Sequence, residues 1–140
     1  MIEFAIISIY IWIGFVCAIS FMEAWLKFRA PGVTLAIGLG IGQLVFSALN
    51  RVEWTLALII SVVLLLNYEH LSLYIWILLS LPLLLLAVQS IYLLPELKLM
   101  AKEKIEGKPS QKSSIHIYYV IFELIKVIIL ACIGYMLFKF

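Results

Sequence analysis

Four stretches of the chain are apolar on nearly every helical turn, and short polar breaks separate them. Crossing a bilayer as an α-helix takes about 20 predominantly apolar residues. Residues 4–26, 71–94 and 114–138 each meet that length. Ala30-Pro31-Gly32 closes the first helix, because the residue before a proline is pushed out of helical geometry. Pro82 lies inside the third, where a kink is expected that neighbouring helices can accommodate. Ser113 or Ser114 suits the N-cap of the last.

Residues 35–66 are ambiguous: 32 residues are too many for one perpendicular span and too few for two spans and a turn. Charge placement decides between them. Of ten Lys and Arg residues, Lys27 and Arg29 fill one gap and Lys98, Lys102, Lys104, Lys108 and Lys112 another, whereas Asn67 to Ser72 has none. Cytoplasmic loops collect Lys and Arg. A single crossing keeps both basic gaps inside and leaves only Lys139 outside, with Arg51 and Lys126 within helices. A further crossing near Asn50 would split the two gaps between opposite faces. One long helix is therefore expected, its first half interfacial or protruding and its second, residues 47–66, spanning. The prediction is an all-α four-helix transmembrane bundle, a single domain over residues 1–140, multi-pass in the inner (plasma) membrane with N- and C-termini outside.

Composition agrees with that class. Apolar residues make up 66% and charged residues 13%, with mean hydropathy +1.18, against roughly 45–50% apolar in soluble domains. The lipid bilayer is the expected partner. The net charge of +2 is largely the loop bias, and no basic patch with interleaved aromatics points to nucleic acid. A cleaved secretory signal fits the first segment badly: Glu3 precedes the apolar run and the basic residues follow it, so a retained helix is expected. Between the third and fourth helices, the inside linker 95–113 is expected to begin as a surface helix. Pro95 suits its first position, Gly107 its end, and Leu97, Met100, Ala101 and Ile105 a narrow apolar face. Residues 108–112 then form an exposed loop.

Ionisable groups inside apolar helices carry the candidate chemistry, since burying one near the bilayer centre costs at least about 2.5–3.5 kcal/mol. On the fourth helix His116, Tyr119, Glu123 and Lys126 recur at spacings of three, four and three, which places them on one face. Glu123 and Lys126 should point into the bundle and can pair with each other. On the second helix Gln43, Ser47, Asn50, Trp54, Ala57 and Ser61 form a polar and small stripe suited to helix packing. Arg51 and Glu53 flank it about 200° apart, so neither neutralises the other. The expected partners are Glu123 for Arg51, and Lys126 or His116 for Glu53. Glu23 can pair with Lys27 four residues on. These groups fall mostly in the inner half of the membrane, which suggests a cytoplasm-facing polar pocket between the second and fourth helices.

Three roles fit such a set: a structural network that fixes helix register, a binding or translocation site for a proton, ion or amphiphile, and a metal or redox site using Glu23, Glu53, His116 and Glu123. There is no Glu-x-x-His pair of the di-iron kind, and His70 and His116 are predicted on opposite faces, so no metal or cofactor is assigned. Gly38 and Gly42 form a G-x-x-x-G pair that allows close helix contact, within the chain or in a homodimer. Cys17 and Cys132 lie about 15 Å apart in depth, too far for a disulfide, and are expected as buried small hydrophobes. Trp25, Phe28, Tyr92 and Tyr118 near the inner ends, with Tyr68, Tyr74, Trp76 and Phe138 near the outer ones, make two aromatic belts. Trp12 and Trp54, set deeper, are read as packing residues.

Phe21-Met22-Glu23, Lys27-Phe28-Arg29-Ala30-Pro31, Val45-Phe46, Asn50-Arg51-Val52-Glu53 and His116-Ile117-Tyr118-Tyr119 together resemble small four-helix membrane proteins of bacteria. That resemblance implies the fold and brings no activity. The layout is also similar to anthrone-oxygenase-like membrane proteins, which implies an enzymatic alternative without assigning a catalytic residue. A structural or accessory component, alone or with a membrane-complex partner, ranks first; a small transporter or carrier follows, then a membrane redox enzyme.

Overall fold

The computed structural model describes residues 1–108 and 114–139. Its framework is four helices, each long and apolar enough to cross a membrane: α1 (Ile2–Arg29), α2 (Leu35–Leu66), α3 (Leu73–Ile105) and α4 (Ile115–Phe138). No strand occurs among the described residues. The chain turns back at each connection, so successive helices are antiparallel neighbours. Going round the bundle, α1 packs along α2 and α4, α4 along α3, and α3 returns to α2 chiefly through its last turns. Lys27, Arg29, Lys98, Lys102, Lys104 and Lys108 all gather at one end, the basic end.

Local chemistry sets the helix limits. α1 passes through a π-helical turn, Cys17–Glu23, and tightens to a 3-10 turn at Lys27–Arg29. Ala30 is then extended before Pro31, and Gly32 takes φ +80°, a conformation other residues adopt at a cost. Thr34 caps α2, its hydroxyl accepting a hydrogen bond from the Ile37 amide at 3.3 Å. The single 32-residue α2 is the long second helix expected; at 1.5 Å per residue it spans roughly 48 Å.

α3 differs from expectation. The expected α-helix with Pro95 in its first turn is present, Leu94–Ile105, but it continues directly from the preceding helix, which runs through Pro82, so it is not a separate surface helix. The π-helical turn Gln89–Leu93 lies immediately before Pro95. That widened turn has already left the i to i−4 register, so the proline's missing N–H and bulky ring do not end the helix. Ala101 is buried and Leu97 and Met100 are half-buried against α2, so the narrow apolar face covers protein at the basic end. Gly107 stops α3 with φ +71°. The Gly107 amide bonds the Lys104 carbonyl at 3.2 Å and the Lys108 amide the Glu103 carbonyl at 3.0 Å, the paired bonds of a Schellman motif. Residues 109–113, with most of the predicted loop, Lys112 and the alternative cap Ser113, lie outside the described residues; Ser114 occupies the N-cap position of α4.

The core is apolar away from the basic end. Ala5, Ile9, Trp12 and Val16 of α1 meet Leu56, Ile60 and Leu64 of α2, Ile75, Leu79 and Leu86 of α3, and Leu130, Ile133 and Leu137 of α4. Gly134 lets α1 come close, since a Cβ there would stand 3.2 Å from the Tyr10 ring. The outer surface is equally apolar, with Phe4, Leu44, Leu58, Leu84, Ile91 and Ile128 exposed. Exposed apolar area on that scale marks a surface that meets a membrane or another protein. Cys17 and Cys132 are on that exposed surface, not buried as expected, because the outside of this bundle is as apolar as its inside. Of the eight belt aromatics only Trp76 is not fully on the surface.

Candidate functional site: a buried ionic network and a cavity beneath it

Four ionisable or amide side chains, Glu53, Gln89, Glu123 and Lys126, are completely buried together at mid-bundle. Regular 3-4 spacing on α4 brings Tyr119, Glu123, Lys126 and Leu130 onto the face that meets the other helices. The Lys126 ammonium donates to Glu53 Oε1 at 2.5 Å and to Glu123 Oε1 at 3.1 Å. Trp12 Nε1 of α1 donates to the same Glu53 oxygen at 2.8 Å, and Gln89 Nε2 of α3 to the same Glu123 oxygen at 2.6 Å. One lysine therefore bridges carboxylates of α2 and α4, and each carboxylate is held by a further helix. Charged hydrogen bonds of this kind are short and strong in a low-dielectric interior.

Of the predicted site residues, Glu53, Glu123 and Lys126 come together as expected. Arg51 does not join them. It is exposed and makes no ion pair among the described residues, so the expected Arg51–Glu123 pair is corrected. With Glu53 turned into the core, the 200° between them turns Arg51 outward. Arg51→Gln is accordingly expected to change stability by no more than about 0.5 kcal/mol, as read from unfolding in mixed micelles. His116, the other partner considered for Glu53, is exposed at the basic end. Glu23 pairs with Lys27 at 3.2 Å as expected, also at that end.

Asn50 belongs to a second, smaller node. Its amide and the Trp54 indole each donate to Ser90 Oγ at 2.8 Å, and that hydroxyl donates to the Leu86 carbonyl at 2.7 Å. The polar stripe of α2 thus faces α3, and the Gln43 amide extends it by donating to the Lys98 carbonyl at 3.0 Å. Ser90→Ala should strand two donors at a cost of about 1–3 kcal/mol, measurable by the same unfolding titration.

Two partners of the ionic network, Trp12 and Gln89, are not among the site residues expected from the sequence. Trp12, a packing residue by its depth in the sequence, also donates a hydrogen bond to Glu53. Gln89 is the other, a lone amide in the run Leu83 to Leu94, which is itself a signal that something polar faces it.

A pocket does open at the basic end and involves α2 and α4, but its lining is mostly apolar, and of the predicted site residues His116 alone lines it. Lys126 bridges α2 and α4 at mid-bundle, and the cavity, about 350 Å³, lies at the basic end among all four helices. Phe46 lines it and meets Tyr119 edge-on, ring centroids 5.4 Å apart at 81°. On α4 Tyr119 stands one turn from Glu123 and one turn from His116, a cavity residue. The two rings therefore stand between cavity and network. Tyr119 OH and the second oxygens of Glu53 and Glu123 are buried without a partner among the described residues.

The close approach allowed by Gly38 and Gly42 is made within the chain. A Cβ on Gly38 would overlap the Phe28 ring, and one on Gly42 would stand 3.1 Å from Lys27 Nζ. Among the described residues no three His, Cys, Asp or Glu side chains are grouped to hold a metal ion. No family model, curated protein or solved structure matches the chain.

Proposed function

We propose that the protein is a multi-pass component of the inner membrane, of the small four-helix bacterial kind its motifs resemble. Both termini lie outside, and its role is structural or accessory, built on the Glu53–Lys126–Glu123 network. One observation carries this reading: a single ammonium ties α2 to α4 while Trp12 and Gln89 tie in α1 and α3. Such a network fixes rotation and depth of all four helices, which apolar packing alone leaves weakly specified in hydrocarbon. Orientation follows from the basic end, placed in the cytoplasm by the Lys and Arg bias. Single cysteines introduced as Glu103→Cys and His70→Cys in a Cys17→Ala/Cys132→Ala background test it. A membrane-impermeant maleimide applied to intact cells should label position 70 and leave 103 unlabelled until the membrane is opened; the reverse pattern removes the orientation.

A second reading, a carrier for a proton or small cation, draws on the charge count. Two carboxylates share one ammonium, so the fully ionised cluster holds an excess negative charge, and the partnerless second oxygens are where a proton or cation would sit. Pyranine-loaded proteoliposomes under a potassium diffusion potential separate the two. The structural reading predicts proton entry equal to that of protein-free liposomes. Flux that Glu123→Gln abolishes would establish the carrier instead.

A further inference from the structure

The basic-end cavity has a composition that the buried network does not explain. Its walls are apolar, from Phe46, Leu39, Leu94, Leu97, Met100 and Ile117, and its rim carries Lys27, Lys98, Lys104 and His116. Lys27 is spoken for: it pairs with Glu23 at 3.2 Å and lies over the Phe28 and Phe46 rings at 5.5 and 5.7 Å. Lys98 and Lys104 make no ion pair among the described residues, and no carboxylate lines the cavity. Two lysines without an ion-pair partner among the described residues thus line an apolar pocket at the basic end of the bundle. Gly42 and the buried Ala101, both small, also line it.

We propose that this cavity binds an anionic amphiphile, a molecule with a phosphate or carboxylate head held by Lys98 and Lys104 and one apolar chain lying against Leu39, Phe46 and Leu97. Charge and wall chemistry select both halves of the ligand: an inorganic anion leaves the apolar walls unfilled, and a neutral alkane leaves the lysines without a counter-ion. Volume selects the chain number. At about 350 Å³ the cavity is near the lower end of small-molecule sites, roughly 300–1,000 Å³, room for a head with one short chain and not for both chains of a phospholipid. Basic pockets between membrane helices are a recurrent way to hold lipid head groups. The ligand can come from the surrounding leaflet, entering head and part of one chain, or from a soluble single-chain anion.

The test uses the full chain in phosphatidylcholine nanodiscs, titrated with decyl phosphate by calorimetry against empty nanodiscs. Saturable binding at one site per protein is expected, with decanol and inorganic phosphate each binding far more weakly. Lys98→Gln/Lys104→Gln should weaken decyl phosphate by roughly 10- to 30-fold, as two lysine–anion interactions near a membrane surface imply. Ala101→Phe, which fills the pocket without touching charge, should abolish it. Both variants are to be checked for an unchanged helical circular dichroism spectrum. Repeating the titration in nanodiscs containing phosphatidylglycerol assigns the source: competition identifies the leaflet lipid, and unchanged affinity the soluble anion. Binding indistinguishable from empty nanodiscs, or retained by the folded double lysine variant, overturns the proposal.

Discussion

Lys126→Met should destabilise the bundle by about 3–5 kcal/mol, the cost of leaving buried charge without its partner. The ammonium is the one cation in a fully buried cluster and serves two carboxylates at once, at 2.5 and 3.1 Å. Methionine fits the volume but leaves Glu53 and Glu123 facing each other. Unfolding with sodium dodecyl sulfate in mixed micelles, followed by circular dichroism, reads the loss directly. Neutralising Glu123 and Lys126 alone does not make a clean control, because Glu53 would remain. The triple variant Glu53→Leu/Glu123→Leu/Lys126→Met should recover most of the lost stability, since apolar replacement of a whole buried ionic group is often neutral or stabilising by roughly 1–4 kcal/mol. If the triple variant is folded and still complements a deletion strain, the network's role is structural. A folded triple variant that fails to complement assigns it a functional site.

Trp12→Ala is expected to cost about 3–5 kcal/mol, the range for removing a large buried aromatic. The side chain is completely buried among Ile9, Val16, Leu56 and Ile60, and its indole reaches Glu53 at 2.8 Å. Trp12→Phe divides the effect. It keeps most of the packing and removes only the N–H, for which about 1.5–3 kcal/mol is expected, the range for a hydrogen bond to a charged group. Equal losses in the two variants would assign the whole role of Trp12 to its hydrogen bond, and a negligible loss in Trp12→Phe would assign it to packing.

How much of this was legible in the sequence follows from what hydrocarbon tolerates. Four apolar stretches and the grouping of Lys27, Arg29 and Lys98 to Lys108 were readable because unpaired backbone and charge are costly in lipid. For the same reason Glu123 and Lys126 could be turned inward, and Lys126 named as a partner of Glu53. Helix rotation was harder. In a water-soluble bundle, polar residues mark the outside, but here Leu58 on the outer surface and Leu56 in the core are the same residue type. Arg51 and Cys132 were misplaced for that reason. Pro95 read as a helix start because the π-helical turn that accommodates it is a backbone feature with no fixed residue signature. An inward-facing pocket follows from the sequence, but its apolar lining by Leu94, Leu97, Met100 and Ala101 does not, since these come from the continuation of α3 past that proline.

The central claim, that Glu53 and Lys126 face each other inside the bundle, is tested most directly by a double-mutant cycle of Glu53→Gln and Lys126→Gln, with unfolding free energies measured for all four proteins. Partners in one hydrogen-bonded network are expected to couple by about 0.5–3 kcal/mol, so the double variant should be less damaged than the sum of the two single ones. Strictly additive losses would place the two side chains apart and contradict the network.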